Sequence, residues 1–159
     1  TKTELSEDQR KQLILIFSSM KGEWRGKAQL TECKGDITRP EFDHSYYSTD
    51  LSIKLRRSKE LSLNFDMHSS DLGISKAEKM SFYLSEQYLA LSQALSDLSI
   101  MTDLSDEGFS IWVEQSLGTG ITRELLRTIT ISKRGLAIDQ YTYANGMLVF
   151  SARWTLKQY

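Results

Sequence analysis

The sequence predicts an all-β fold: an antiparallel up-and-down β-barrel of about ten strands with a short N-terminal helix. Three observations predict it. Helical spacing of apolar residues is confined to the first twenty or so positions, and apolar residues then recur at every second position to the C-terminus. Short turn signals separate the alternating runs, the clearest being Asn145-Gly146. No helical stretch recurs between strands, which excludes a parallel α/β sheet. So many strands in one open sheet would leave two long edges, and closure into a barrel removes them.

The helix is predicted over about 6–20. Ser6 and Gln9 fit a capping box, Glu7 and Asp8 suit the first turn, Leu13, Ile16, Phe17 and Met20 form one stripe, and Gly22 is a stop. The barrel is predicted over about 22–157. Trp24, Gly26, Ala28 and Leu30 alternate with polar residues, and 34–40, with the only proline, reads as a loop. Strands follow at 47–56 and 61–68, joined by a turn at Arg57-Ser58-Lys59-Glu60. After a loop at 69–75, Met80, Phe82 and Leu84 share a face, and Ser85-Glu86-Gln87 is a turn. The stretch 89–98 reads as strand, turn, strand, with a short helix as the alternative. Strands at 98–102, 109–117, 122–132, 136–143 and 147–156 complete a meander. With no repeat, low-complexity tract or linker, residues 1–159 are expected to form a single domain.

Composition narrows the function classes. The chain has 159 residues, is 40% hydrophobic and 26% charged, and carries a net charge of −1, so no overall field favours nucleic acid or an anionic membrane. No apolar run approaches the ~20 residues of a membrane-spanning helix. Cys33 is the single cysteine, so no disulfide forms within the chain. A start at Thr1 rather than Met is compatible with a cleaved export signal or a trimmed chain, and the compartment, exported or periplasmic against cytoplasmic, stays open.

No catalytic or metal constellation is legible. The only histidines, His44 and His68, with Asp43 and Cys33 nearby, lack zinc-type spacing, and no metal is expected. Asp66, His68 and Ser69 are close in sequence, but a triad requires geometry rather than proximity. Gly118-Thr119-Gly120 does not lead from a strand into a helix, so it is no phosphate loop. The charges of 54–59 suit a solvated hairpin tip.

Gly22-Glu23-Trp24 directly follows the helix, and Arg153-Trp154 lies near the end of the last strand. This pairing resembles the signature of the calycin superfamily, the lipocalins, fatty-acid-binding proteins and their relatives. Gly22-Glu23-Trp24-Arg25-Gly26 also resembles the start of a nitrobindin-type barrel. The resemblance implies that the helix and Trp24 close one barrel end, and that a basic residue from the chain's end, here Arg153, packs across Trp24. Regular alternation, however, puts Arg153 on the face opposite Leu148, Phe150, Ala152 and Trp154. Nitrobindin-type barrels hold haem through a histidine near the chain's end. This chain ends Trp154-Thr155-Leu156-Lys157-Gln158-Tyr159, so neither haem nor another cofactor is expected.

The candidate ligand-binding residues are Arg127, Arg123 and Gln115. Arg123 and Arg127 alternate in phase with Leu125, Ile129 and Ile131, and Gln115 with Phe109, Ile111 and Val113. If those faces are inward, guanidinium groups point into the lumen and need a protein carboxylate or an anionic ligand. Late-strand arginines in fatty-acid-binding proteins suggest a carboxylate anchor. If Leu126 and Thr130 face inward instead, both arginines are solvated. The expected function is lipocalin-like binding of a small apolar or amphipathic ligand in the barrel, and the alternative is a structural or protein-interaction module whose barrel is filled by its own side chains.

Overall fold

The computed structural model describes residues 4–36, 38–85, 89–91, 98–116 and 120–159, without the side chains of 36, 98, 115 and 116. A helix, α1 (Glu7–Met20), precedes ten strands in chain order. These are β1 (Gly22–Asp36), β2 (Arg39–Arg56), β3 (Glu60–Ser69), β4 (Ile74–Leu84), β5 (Leu89–Ala90), β6 (Leu98–Ser105), β7 (Gly108–Ser116), β8 (Thr122–Ser132), β9 (Gly135–Ala144) and β10 (Met147–Gln158). All pairings are antiparallel, in the order β5-β4-β3-β2-β1-β10-β9-β8-β7-β6. The first and last long strands zip together from Trp24↔Gln158 to Glu32↔Phe150. At the seam between β5 and β6, the Ser99 hydroxyl donates to the Leu89 carbonyl at 3.0 Å, so the sheet is a nearly closed barrel.

The capping box forms as its sequence requires. The Gln9 amide donates to Ser6 Oγ at 3.2 Å, and the Ser6 amide to Gln9 Oε1 at 2.9 Å. Leu13, Ile16, Phe17 and Met20 are all buried, which fixes the helix against one barrel end. Trp24 completes that plug: its indole N–H donates to the Met20 carbonyl at 2.8 Å, satisfying one of the orphan carbonyls at the helix C-terminus. Phe17 meets Phe109 at 6.0 Å between ring centroids, and Phe109 meets Phe82 edge-on at 5.3 Å. These aromatics fill the lumen next to the helix. Gly26 is required where β1 approaches β10, because a Cβ there would collide with the Thr155 carbonyl.

The strands differ from the sequence expectation mainly in length. Instead of a loop over 34–40, β1 runs to Asp36 and β2 resumes at Arg39. Pairing continues out to Asp36↔Arg39, past the last β1–β10 and β2–β3 pairs. This two-stranded arm covers no core, so nothing imposes an apolar alternation on it. Likewise β4 starts at Ile74, inside the expected 69–75 loop. In the 89–98 stretch β5 and β6 are strands; the alternative helix, and the turn at 85–87, fall largely outside the described residues.

The last hairpin turns at Asn145-Gly146, with φ of 49° and 80°, the two positive values a type I′ turn needs. Asn145 also ties the turn to β8: its Oδ1 accepts the Thr122 amide and its own amide donates to the Thr122 carbonyl, both at 2.9 Å.

Two substitutions test this account. Phe17→Ala removes a fully buried ring of the helix plug and is expected to lower unfolding free energy by roughly 3–5 kcal/mol in denaturant melts; an unchanged midpoint makes the helix an appendage. Gly146→Val is expected to cost about 1–2 kcal/mol, the penalty of a side chain in the left-handed region, whereas Gly146→Asn should melt close to the parent protein.

Candidate functional site

Strand β8 presents Leu125, Arg127, Ile129 and Ile131 to the lumen. The register fixes this: Arg127 lies opposite Ile111 on β7 and Gln140 on β9, while Ile129 lies opposite Phe109 and Ile138. Ile111, Phe109, Ile129 and Ile138 are buried, and paired residues of a ladder share a face. The Arg127 guanidinium is therefore interior. Its Nε donates to Gln140 Oε1 at 3.2 Å, and Gln140 Nε2 donates onward to Thr142 Oγ1 at 3.4 Å. Thr142 thereby orients the Gln140 amide with its oxygen toward the arginine.

Around this pair lies a pocket of about 90 Å³. Its apolar lining comes from Leu30, Phe65, Met67, Met80, Phe150 and Trp154, and its polar lining from Arg127, Gln140, Glu78 and Lys79. Trp154 packs at a tilt of 34° against Phe65 with centroids 4.8 Å apart, and its indole N–H points at Met67 Sδ at 3.4 Å, a weak acceptor. The two terminal amino groups of Arg127 make no hydrogen bond to any described residue, and no carboxylate among the described residues stands within ion-pair distance of it. Burial pushes the guanidinium down to about 10, and the attraction of the Glu78 carboxylate works against that shift. At neutral pH the group is charged. The site thus offers a cation with spare in-plane donors beside a small space of mixed polar and apolar lining.

The other sequence candidates fall elsewhere. Arg123 shares the phase of Arg127 but stands near the start of β8, where the rim no longer covers it; it is exposed and does not line the pocket. Gln115 pairs with Arg123, not with Arg127, and its side chain lies outside the described residues. Arg153 points outward, 66% exposed, with its Nε 3.6 Å from Asp139 Oδ1. It lies on the opposite side of the sheet from Trp24, which is 3% exposed in the core. The basic residue packed across Trp24 that the calycin resemblance implies is thus not Arg153; regular strand parity decides this. Gly22 does open β1 directly after the helix, with φ of 130°. At this end Arg25 sits 4.1 Å over the Tyr159 ring, on the outer surface.

Gln140 and Glu78 are the site residues that sequence reasoning misses. Gln140 is in phase with Leu136 and Ile138, both buried, and the tight turn before Gly135 sets it opposite Arg127. Glu78 is in phase with Met80, Phe82 and Leu84, but it precedes the apolar run that marks the strand. His44 bonds Thr31 and His68 bonds Ser75 on the outer face, while Ser69 is buried on the inner one, so Asp66, His68 and Ser69 assemble no triad. Among the described residues no group of three or more potential ligands is arranged to hold a metal.

A lowered folded-state pKa means that folding disfavours the charged arginine. That cost is full at neutral pH and fades only above about 10, so removing the charge should stabilise the protein at pH 7. Arg127→Leu is expected to raise unfolding free energy by about 1–2 kcal/mol, measured in urea without ligand; a loss of stability would show that the guanidinium is well compensated in place.

No protein family model matches the chain, and no curated protein matches it in sequence.

Proposed function

We propose that the protein is a calycin-like binding barrel that holds a small anionic molecule, a short carboxylate or comparable oxyanion, in the pocket at Arg127. The observation that carries this reading is the pair of Arg127 amino groups without described hydrogen-bond partners, facing a small pocket. A guanidinium presents donors in a plane that a carboxylate accepts two at a time. Trp154 and Phe65 offer an apolar wall for the rest of such a ligand.

Size selects among carboxylates. Drug-sized ligands occupy roughly 300–1,000 Å³, and even benzene fills an engineered cavity of about 150 Å³. A pocket near 90 Å³ suits a ligand of a few heavy atoms, and a long acyl chain fits only by displacing Phe150 or Phe65. The broader expectation of an apolar or amphipathic lumen ligand is thereby narrowed to a short one. The filled lumen beside the helix favours a second reading, an interaction module. An outward row of Ile100, Trp112, Leu126 and Tyr141 across four strands would supply its apolar face.

Calorimetric titration with formate, acetate, butyrate, octanoate and palmitate separates the two. Binding is expected for the short members and should fall with chain length. Arg127→Leu should weaken acetate binding roughly 10- to 150-fold, the equivalent of one charged hydrogen bond. No binding by any member, or equal binding by both proteins, leaves the interaction module as the surviving reading.

A further inference from the structure

Glu78 does not fit a pocket built only to attract anions. Its inward orientation is fixed by register. Glu78 pairs with Phe65 on β3, Phe65 pairs with Leu51 on β2, and both of those side chains are buried in the lumen. Two residues later along the same face, Met80 enters the core. The Glu78 side chain therefore lines the Arg127 pocket from the opposite wall, at the level where β4 emerges into solvent. It is exposed enough to move, and its carboxylate is not within ion-pair distance of any described cation. Lys76, its neighbour on the same face, is drawn aside over the Tyr47 ring at 5.5 Å. Glu78 is also the group whose attraction partly offsets the cost of burying Arg127.

Resting on the reading that Arg127 anchors an anion, we propose that Glu78 is a tethered competitor: its carboxylate swings onto the free Arg127 amino groups in the empty pocket and is displaced by the incoming anion. Two carboxylates crowded onto one guanidinium in one small pocket repel each other. Binding an anion thus requires Glu78 to turn out to solvent, and its strand position at the exposed start of the inward row lets it do so. Such a residue determines specificity. It offsets only part of the cost of burying the cation when no ligand is present. It also sets a threshold that weakly held anions, such as chloride, do not overcome. Nothing is consumed or transferred; one ion pair replaces another.

The test uses the full chain and three variants: Glu78→Gln, Arg127→Leu and the double variant. Acetate is the probe, and each protein is titrated by calorimetry and melted in acetate-free buffer. Glu78→Gln is expected to tighten acetate binding roughly two- to fivefold, the range of a solvent-accessible charge pair. In the melts it should lower the midpoint of the parent protein and leave that of Arg127→Leu unchanged, because the carboxylate has lost its partner there. Additive melting effects, or acetate affinity unchanged by Glu78→Gln, overturn the competition while leaving Arg127-dependent binding intact. Coupled melts with no acetate binding in any protein mean the reverse: Glu78 pairs with Arg127, and both the anion-binding reading and the competition fail. Weaker acetate binding in Glu78→Gln also overturns the competitor, since it makes Glu78 a helper of binding.

Discussion

A ten-stranded barrel encloses more space than its own strands can fill, and that constraint shapes the rest of this structure. Eight strands leave an interior just wide enough for side chains; two more widen it. The protein answers at one end with a plug. Helix α1 lowers Leu13, Ile16, Phe17 and Met20 onto the strands, and Trp24 locks the helix end through the Met20 carbonyl. Phe17, Phe82 and Phe109 then occupy the volume behind them. The capping box, the stop before β1 and the burial of Trp24 all serve this single packing problem.

The far part of the lumen is solved differently. Away from the helix, polar side chains enter the inward rows: Arg127, Gln140 and Thr142 on one wall, Glu78 on the other. A sequence selected only for a filled core would place aliphatic residues there. The desolvation that depresses the Arg127 pKa is a standing cost to the fold. Under the proposed reading, a bound anion would recover in the complex part of what the empty barrel gives up.

Much of the architecture is legible in the sequence, because period two is imposed wherever one face is buried. Residues 47–55 of β2, with β3 and the later part of β10, follow it closely, and the Asn145-Gly146 turn is readable from backbone sterics alone. The projecting arm of β1 and β2 is not legible, since both its faces meet water and no pattern marks it as strand. The inward face of β8 is ambiguous for a different reason. Leu126 sits in the mostly polar outer phase with Thr128 and Thr130, while the inner phase carries two arginines among its aliphatics, so alternation alone does not say which side is the lumen. Arg127 is placed only once Ile111 and Ile138 are known to flank its row. Glu78 faces inward by pairing with Phe65, a relation across strands that no single strand's sequence contains.

The sheet order has a kinetic consequence. The gap in the barrel falls between β5 and β6, which are neighbours in sequence, while the continuous ladder at the opposite side joins β1 to β10 from the two ends of the chain. Each half, β1 to β5 and β6 to β10, is a meander held by contacts close in sequence, so each forms from hairpins at low loop-closure cost. The β1–β10 ladder closes the longest loop available and has the highest contact order of any pairing in the molecule. Folding should therefore run as two local nucleations followed by one slow docking of the halves. The Ala28↔Trp154 and Leu30↔Ala152 pairs lie in that last interface, and the wall of the Arg127 pocket is assembled across it. The Arg127 pocket is complete only once the two ends of the chain have zipped together.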